Sequence, residues 1–222
     1  MFAVCWSVKG GSGTTVVAAA LALVLARRSP SGALLVDLAG DGPAALGLPE
    51  PDGPGLAGWF AAGRSVPADG LNRLEVAVTS GLSVVPRGRG PLGPADRAEV
   101  LAGVLAAESR SVVVDAGVPG WADPDRDTAA PVLAAAAGAS LLVTRPCYLS
   151  LRRAVAAPLQ PTGVVLVVEP GRALDRRDVD EILGAPVVAE VLVDPAVARA
   201  VDAGLLVARL PRSLERALGR AA

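Results

Sequence analysis

The chain has 222 residues, 52% of them apolar and only 3% aromatic, with 21 basic against 22 acidic side chains and a formal charge of −1. This length fits one α/β domain, and near-neutrality excludes an overall electrostatic pull toward nucleic acid or an anionic membrane. The absence of histidine and the wide separation of Cys5 and Cys147 exclude a histidine-based triad, a histidine metal site and a recognisable zinc module.

Along the chain, short apolar runs alternate with helical stretches. Phe2–Ser7 is a strand candidate, followed by Lys9-Gly10-Gly11-Ser12-Gly13-Thr14-Thr15 and a helix over Thr14–Arg28. Within that helix Val16–Ala26 is continuously apolar. A bilayer span needs ~20 residues, and a secretory signal places its basic region directly before the apolar run. The run therefore reads as a buried helix of a soluble, uncleaved protein. Further strands are expected over Ala33–Leu38, Ser111–Asp115, Ala139–Thr144, Gly163–Val168 and Val187–Val193, with helices over Ala95–Glu108, Pro131–Ala137, Leu149–Ala157, Arg176–Leu183 and Pro195–Ala203. Most of the strands lack period-two alternation, as parallel strands covered on both faces do. The fold class that follows is a single-domain, three-layer α/β architecture, a mostly parallel twisted sheet with helices on both faces.

Leu74–Val78 and Leu82–Pro86, joined by Thr79-Ser80-Gly81, read as a hairpin that adds one antiparallel strand. Ala39–Pro54 and Arg87–Pro94 are loops rich in Gly and Pro, and Arg87 and Arg89 read as solvated loop charges. Both thiols fall in apolar segments and are expected to be reduced and buried in a cytosolic protein. The tail 210–222 forms a basic amphipathic helix with Leu210, Leu214, Ala217 and Leu218 on one face and Arg212, Arg216 and Arg220 beside it. Such a helix can engage a membrane surface or DNA phosphates; its narrow apolar stripe favours docking on its own domain.

Lys9 is the one lysine among twenty arginines, and a compact ammonium is not interchangeable with a guanidinium at an oxyanion. Strand, glycine-rich turn and helix is the context of a phosphate-binding loop, in which backbone amides and a helix N-terminus converge on the anion. Against the consensus G-x-x-x-x-G-K-[ST], Gly13 is the last glycine, Thr14 stands at the lysine position, and Thr15 offers a hydroxyl to Mg²⁺. Asp37 and Asp115 end two strands, where ligands of open α/β sheets bind; capping of the following loops is the alternative.

With Lys9 included, the loop resembles the deviant Walker A motif, K-G-G-x-G-K-[ST], of the ParA/MinD family. ALLVD over Ala33–Asp37 resembles that family's second strand, SVVVDAG over Ser111–Gly117 its Walker B strand, and GLSVVP over Gly81–Pro86 a stretch of the CpaE/TadZ pilus-localisation branch. The resemblance implies an ATP-sandwich homodimer in which Lys9 reaches the partner's phosphates. Gly10, Gly11, Ser12, Gly13, Thr14 and Thr15 would bind ATP or ADP, Thr15 and Asp115 would organise Mg²⁺, and Asp37 or Asp41 would position water. It also implies a cytoplasmic protein, carried to a cell pole or membrane periphery by a pilus, secretion or partition partner.

Three departures weaken hydrolysis. Thr14 replaces the cis lysine, Ala39 replaces the second acid of Asp37-Leu38-Ala39, and Glu169-Pro170-Gly171 lacks the Asn that often reads adenine in this family. A non-catalytic scaffold of the same fold is therefore the competing expectation. A metabolic P-loop kinase or ligase would need the missing lysine, and dinucleotide reduction would need G-x-G-x-x-G.

Overall fold

A computed structural model describes residues 1–63, 70–121 and 128–221. The strands are β1 (Phe2–Trp6), β2 (Ala33–Asp37), β3 (Val76–Thr79), β4 (Leu82–Val85), β5 (Ser111–Asp115), β6 (Ala139–Thr144), β7 (Gly163–Val168) and β8 (Val187–Leu192). The helices are α1 (Thr14–Arg28), α2 (Gly42–Ala45), α3 (Gly55–Ala61), α4 (Ala95–Ala106), α5 (Ala129–Ala136), α6 (Tyr148–Val155), α7 (Arg176–Leu183), α8 (Pro195–Asp202) and α9 (Arg212–Leu218). The strands form one sheet in the order β3-β4-β2-β5-β1-β6-β7-β8. Every neighbouring pair is parallel except β3 with β4.

The solid apolar strands are buried on both sides, and successive residues feed two separate cores. Val4, Trp6, Leu34, Val36, Val112 and Val114 pack on the face covered by α3 to α7. Cys5, Ala33, Leu35 and Val113 pack on the face covered by α1, α2 and α9. Helix α1 is buried from Val17 to Leu25. Its Arg27 and Arg28 lie in the last turn, where cations complement the helix dipole.

The antiparallel edge strand forms as expected but is displaced. Asn72–Leu74 is a 3-10 turn and the strand runs Val76–Thr79, with a register shift between Ala77 and Thr79. The loop expected over Ala39–Pro54 contains the short helix α2, and α3 follows it directly. The C-terminal helix covers Arg212–Leu218 of the expected 210–222, and residue 222 lies outside the described residues. Its apolar stripe is consumed by the domain: Leu210, Leu214 and Leu218 are buried against the α1 core. No helix among the described residues is long and apolar enough to cross a membrane.

Candidate phosphate-binding site

The loop between β1 and α1 is shaped by glycines. Gly11 and Gly13 have φ of 75° and 88°, conformations that side-chain-bearing residues adopt at a cost of about 1–2 kcal/mol each. A Cβ built on Gly10, Gly11 or Gly13 meets nothing within 4 Å, so the concave side of the loop is open. The Ser12 hydroxyl donates to the Lys9 carbonyl at 2.8 Å, and Ser7 Oγ donates to the same carbonyl at 3.1 Å. The amides of Gly13, Thr14, Thr15 and Val16 make no backbone hydrogen bond to a described residue. They are the unsatisfied donors that a helix N-terminus presents to an anion.

Strand order sets the rest of the site. Because β5 lies between β1 and β2, Asp115 is directly beside Cys5 on one side and Asp37 on the other. Both carboxylates are fully buried. Asp37 is held by its own loop, its Oδ1 accepting from the Gly40 amide at 2.7 Å and its Oδ2 from the Gly42 amide at 3.0 Å. A Cβ on Gly42 would lie 2.9 Å from the Asp37 carboxyl carbon, so any side chain there must displace that carboxylate. Burial nonetheless raises the Asp37 pKa above the ordinary carboxylate range.

Asp115 is less well compensated. Its Oδ1 accepts from Gly117 N–H at 3.1 Å, whereas its Oδ2 is buried without a hydrogen-bond partner. Burial drives its pKa up to about 7, with Asp37 and Asp41 adding to the rise while the Thr15 hydroxyl and the Gly117 amide oppose it. Thr15 and Asp115 are thus brought together at the mouth of the loop. The orphaned Oδ2 fits a cation or a cation-bound water. Among the described residues no three acidic or thiol side chains cluster into a metal site by themselves. That fits Mg²⁺, which keeps several waters and takes one or two carboxylates together with phosphate oxygens.

The remaining predicted residues are positioned unequally. Lys9 is half-buried and close enough to Cys147 to help lower the pKa of that thiol, after the larger effect of the hydrogen bond between Cys147 Sγ and Ser150 Oγ. Thr14 is 7% exposed, so the position of the missing lysine faces inward. Asp41 stands at the N-cap position of α2, exposed and without a side-chain capping hydrogen bond, and is near enough to bear on both Asp37 and Asp115. Ala39 is exposed and carries no polar group. Cys5 is buried as expected and its thiol pKa is raised by burial; Cys147, expected to be buried as well, is only half-buried because it begins α6 at the end of the sheet.

Ser7, Gly40 and Gly42 carry no predicted role but shape the site. Ser7 ties the loop to the β5 exit through Ser7 N–H donating to Gly117 O at 2.8 Å. Gly40 and Gly42 supply the Asp37 amides; the Gly-x-Gly spacing after Asp37 was their one sequence signal. Arg87, expected to be a solvated loop charge, is half-buried and donates to the Leu38 carbonyl instead, pinning the Asp37 loop from the segment after β4.

No family profile matches the sequence, and no curated protein matches it. Solved structures do. The ParA family ATPase from Chlorobium tepidum TLS superposes with a TM-score of 0.76 at 18% identity, covering 99% of this chain and 98% of its own. The chain has the ParA/MinD fold. The septum site-determining protein MinD complexed with Mg-ADP from Pyrococcus horikoshii OT3 gives a TM-score of 0.75 at 15% identity, over 99% of this chain and 94% of that one. An ATP complex of Cyanothece McdA, carrying an Asp-to-Ala substitution, gives 0.72 at 18% identity, over 98% and 94%. The strand–glycine-loop–helix unit described above belongs to that shared fold.

Proposed function

We propose that the chain is a ParA/MinD-like nucleotide-binding switch that forms an ATP-sandwich homodimer and sets the position of a cellular cargo. The observation that carries this reading is the convergence of the open glycine loop, Thr15 and the partnerless Asp115 Oδ2 at the C-terminal edge of β1, β2 and β5. The likeness to a MinD complexed with Mg-ADP and a McdA complexed with ATP supports a nucleotide there. Gly10 to Thr15 would cradle the phosphates, and Thr15 and Asp115 would hold Mg²⁺ through one hydroxyl, one carboxylate and water. Bound there, the metal would neutralise phosphate charge and relieve the buried carboxylate pair.

The chain's own residues determine how far turnover proceeds. Asp37 is fixed by two amides and oriented; Asp41 is a further carboxylate near enough to align water. Lys9, half-buried at the mouth of the loop, would reach phosphates held by a partner copy. The partner is a component of a pilus, secretion or partition apparatus, and the CpaE/TadZ branch is the closest reading. The solved Aquifex aeolicus MinD bound to MinC is a precedent for a protein partner. The protein acts in the cytoplasm, at a pole or membrane periphery when a partner carries it there.

A second reading, a non-catalytic scaffold of the same fold, is favoured by the inward-facing Thr14 and the exposed Ala39. Molar mass in solution with and without Mg-ATP, for wild type and Lys9→Ala, tests the first. ATP-driven dimerisation that Lys9→Ala abolishes is expected. An unchanged dimer in the variant removes the trans role of Lys9, and no ATP or ADP binding at millimolar nucleotide removes the switch in favour of the scaffold.

A further inference from the structure

Strand β8 closes one side of the sheet, and among the described residues no strand pairs with its outer edge. The edge is guarded at its start and open at its end. Arg176 Nη2 donates to the Val187 carbonyl at 2.7 Å, and the Val187 amide donates to Asp180 Oδ1 at 2.6 Å. Beyond that point the protection stops. Val193 N–H pairs inward with the Val168 carbonyl. In a parallel ladder alternate residues turn their backbone groups to opposite sides, so those of Glu190 and Leu192 face outward. Leu192 and Val193 are 59% and 44% exposed. An exposed apolar strand edge of this kind is a template for another strand unless it is blocked.

A cleft of about 240 Å³ lies at this open edge, walled by Glu190 and Leu192 from β8, by Ser213, Arg216 and Ala217 from α9, and by Arg220 just beyond that helix. Glu190 is already engaged by Arg176 at 3.3 Å. Arg212, Arg216 and Arg220 form no hydrogen bond or ion pair with a described residue. Arg212 lines a different cleft, beside Arg27 and Arg28 of α1, so the seam along β8 holds Arg216 and Arg220. Alternate side chains of a strand point to the same face, so a strand laid on β8 turns every second side chain toward this pair of arginines. A second copy of the chain is disfavoured as the occupant, because it would bring its own Arg216 and Arg220 to the same seam.

We propose that the β8 edge is a docking site for a short acidic segment of a partner protein, added as an extra strand with its carboxylates on Arg216 and Arg220. The backbone pairing supplies affinity and the arginines supply sign selectivity, as in strand addition generally. The site lies three strands from β1, about 14 Å across the sheet, and leaves the phosphate loop untouched. It stands whether or not a nucleotide binds there.

The test uses the full chain and two labelled peptides, acetyl-Glu-Val-Glu-Val-Glu-amide and its lysine counterpart, followed by fluorescence anisotropy and amide hydrogen exchange. The glutamate peptide is expected to bind at least ~10-fold more tightly than the lysine peptide, slowing exchange at the Glu190 and Leu192 amides. The Arg216→Glu/Arg220→Glu double variant should reverse the order of the two peptides. Leu192→Pro, which removes an outward N–H, should abolish binding of both; its thermal melt reports whether the fold is kept. The proposal is overturned if neither peptide binds, if both bind alike, or if binding leaves Glu190 and Leu192 exchange unchanged. Displacement of the peptide by duplex DNA through the same arginines, without protection at Leu192, would assign the ridge to phosphate instead.

Discussion

Replacing Asp115 by asparagine tests whether the site was built for a cation. In the free protein Asp115 is fully buried next to Asp37 with one oxygen unpartnered. Its pKa rises from 3.8 to about 7. At about 1.36 kcal/mol per pKa unit, the ionised form costs at most roughly 4 kcal/mol above pH 7. The folded pKa lies above the unfolded one, so the folded state keeps the proton through the window from about pH 4 to 7. Stability from this group falls as pH rises through that window and stays low above it. Asparagine removes the charge but introduces an amide that must find partners of its own. We therefore expect about half the ceiling, ~2 kcal/mol, which for a chain of this size is ~4–8 °C in Tm. The apo Tm of the variant should exceed that of wild type at pH 8 and match it near pH 5, measured by scanning calorimetry at fixed ionic strength. Mg-ADP should raise the wild-type Tm far more than that of the variant, since the variant has lost the ligand for the metal. An asparagine variant that is destabilised equally at both pH values would falsify the claim that Asp115 carries an uncompensated charge.

Three other outcomes are expected. Thr14→Lys restores a charge-assisted phosphate contact worth about 1.5–3 kcal/mol, so nucleotide affinity measured by calorimetry should rise roughly 10- to 100-fold; an unchanged Kd would mean the inward-facing position cannot reach the phosphates. Gly42→Ala places a methyl 2.9 Å from the Asp37 carboxyl carbon. It should therefore lower any ATP turnover by displacing Asp37 from its two amides, with nucleotide Kd little changed; loss of both together would show that the phosphate loop itself was damaged. Leu218→Ala removes a fully buried side chain from the α1–α9 core and should cost about 2–5 kcal/mol in urea unfolding. A negligible loss would mean that α9 is not docked.

Much of the fold was legible because its signals are local. A strand, a glycine turn and an apolar helix in succession define the phosphate loop without reference to anything distant, and the solid Val/Leu runs announce strands covered on both sides. Helix α3 was not legible, because Gly55-Leu56-Ala57-Gly58 follows Pro54 and has the composition of a loop; burial of Leu56, Trp59 and Phe60 makes it a helix. The displaced edge strand arose similarly, since a short two-sided strand carries little register information.

The sequence by itself determined the elements, the loop chemistry and the two departures at Thr14 and Ala39, because each depends on residues close together in the chain. Tertiary structure alone decided which strands are neighbours, and with that the character of the site. Uniformly apolar strands specify burial but not order, so the contact of Asp115 with Asp37, far apart in the chain but paired across β5 and β2, could not be read from either segment. The same holds for the C-terminal helix. Its narrow apolar stripe favours docking on its own domain over a membrane or DNA, and the packing of Leu214 and Leu218 onto α1 shows that the apolar face is spent in the core. That packing leaves the arginines to the edge of β8.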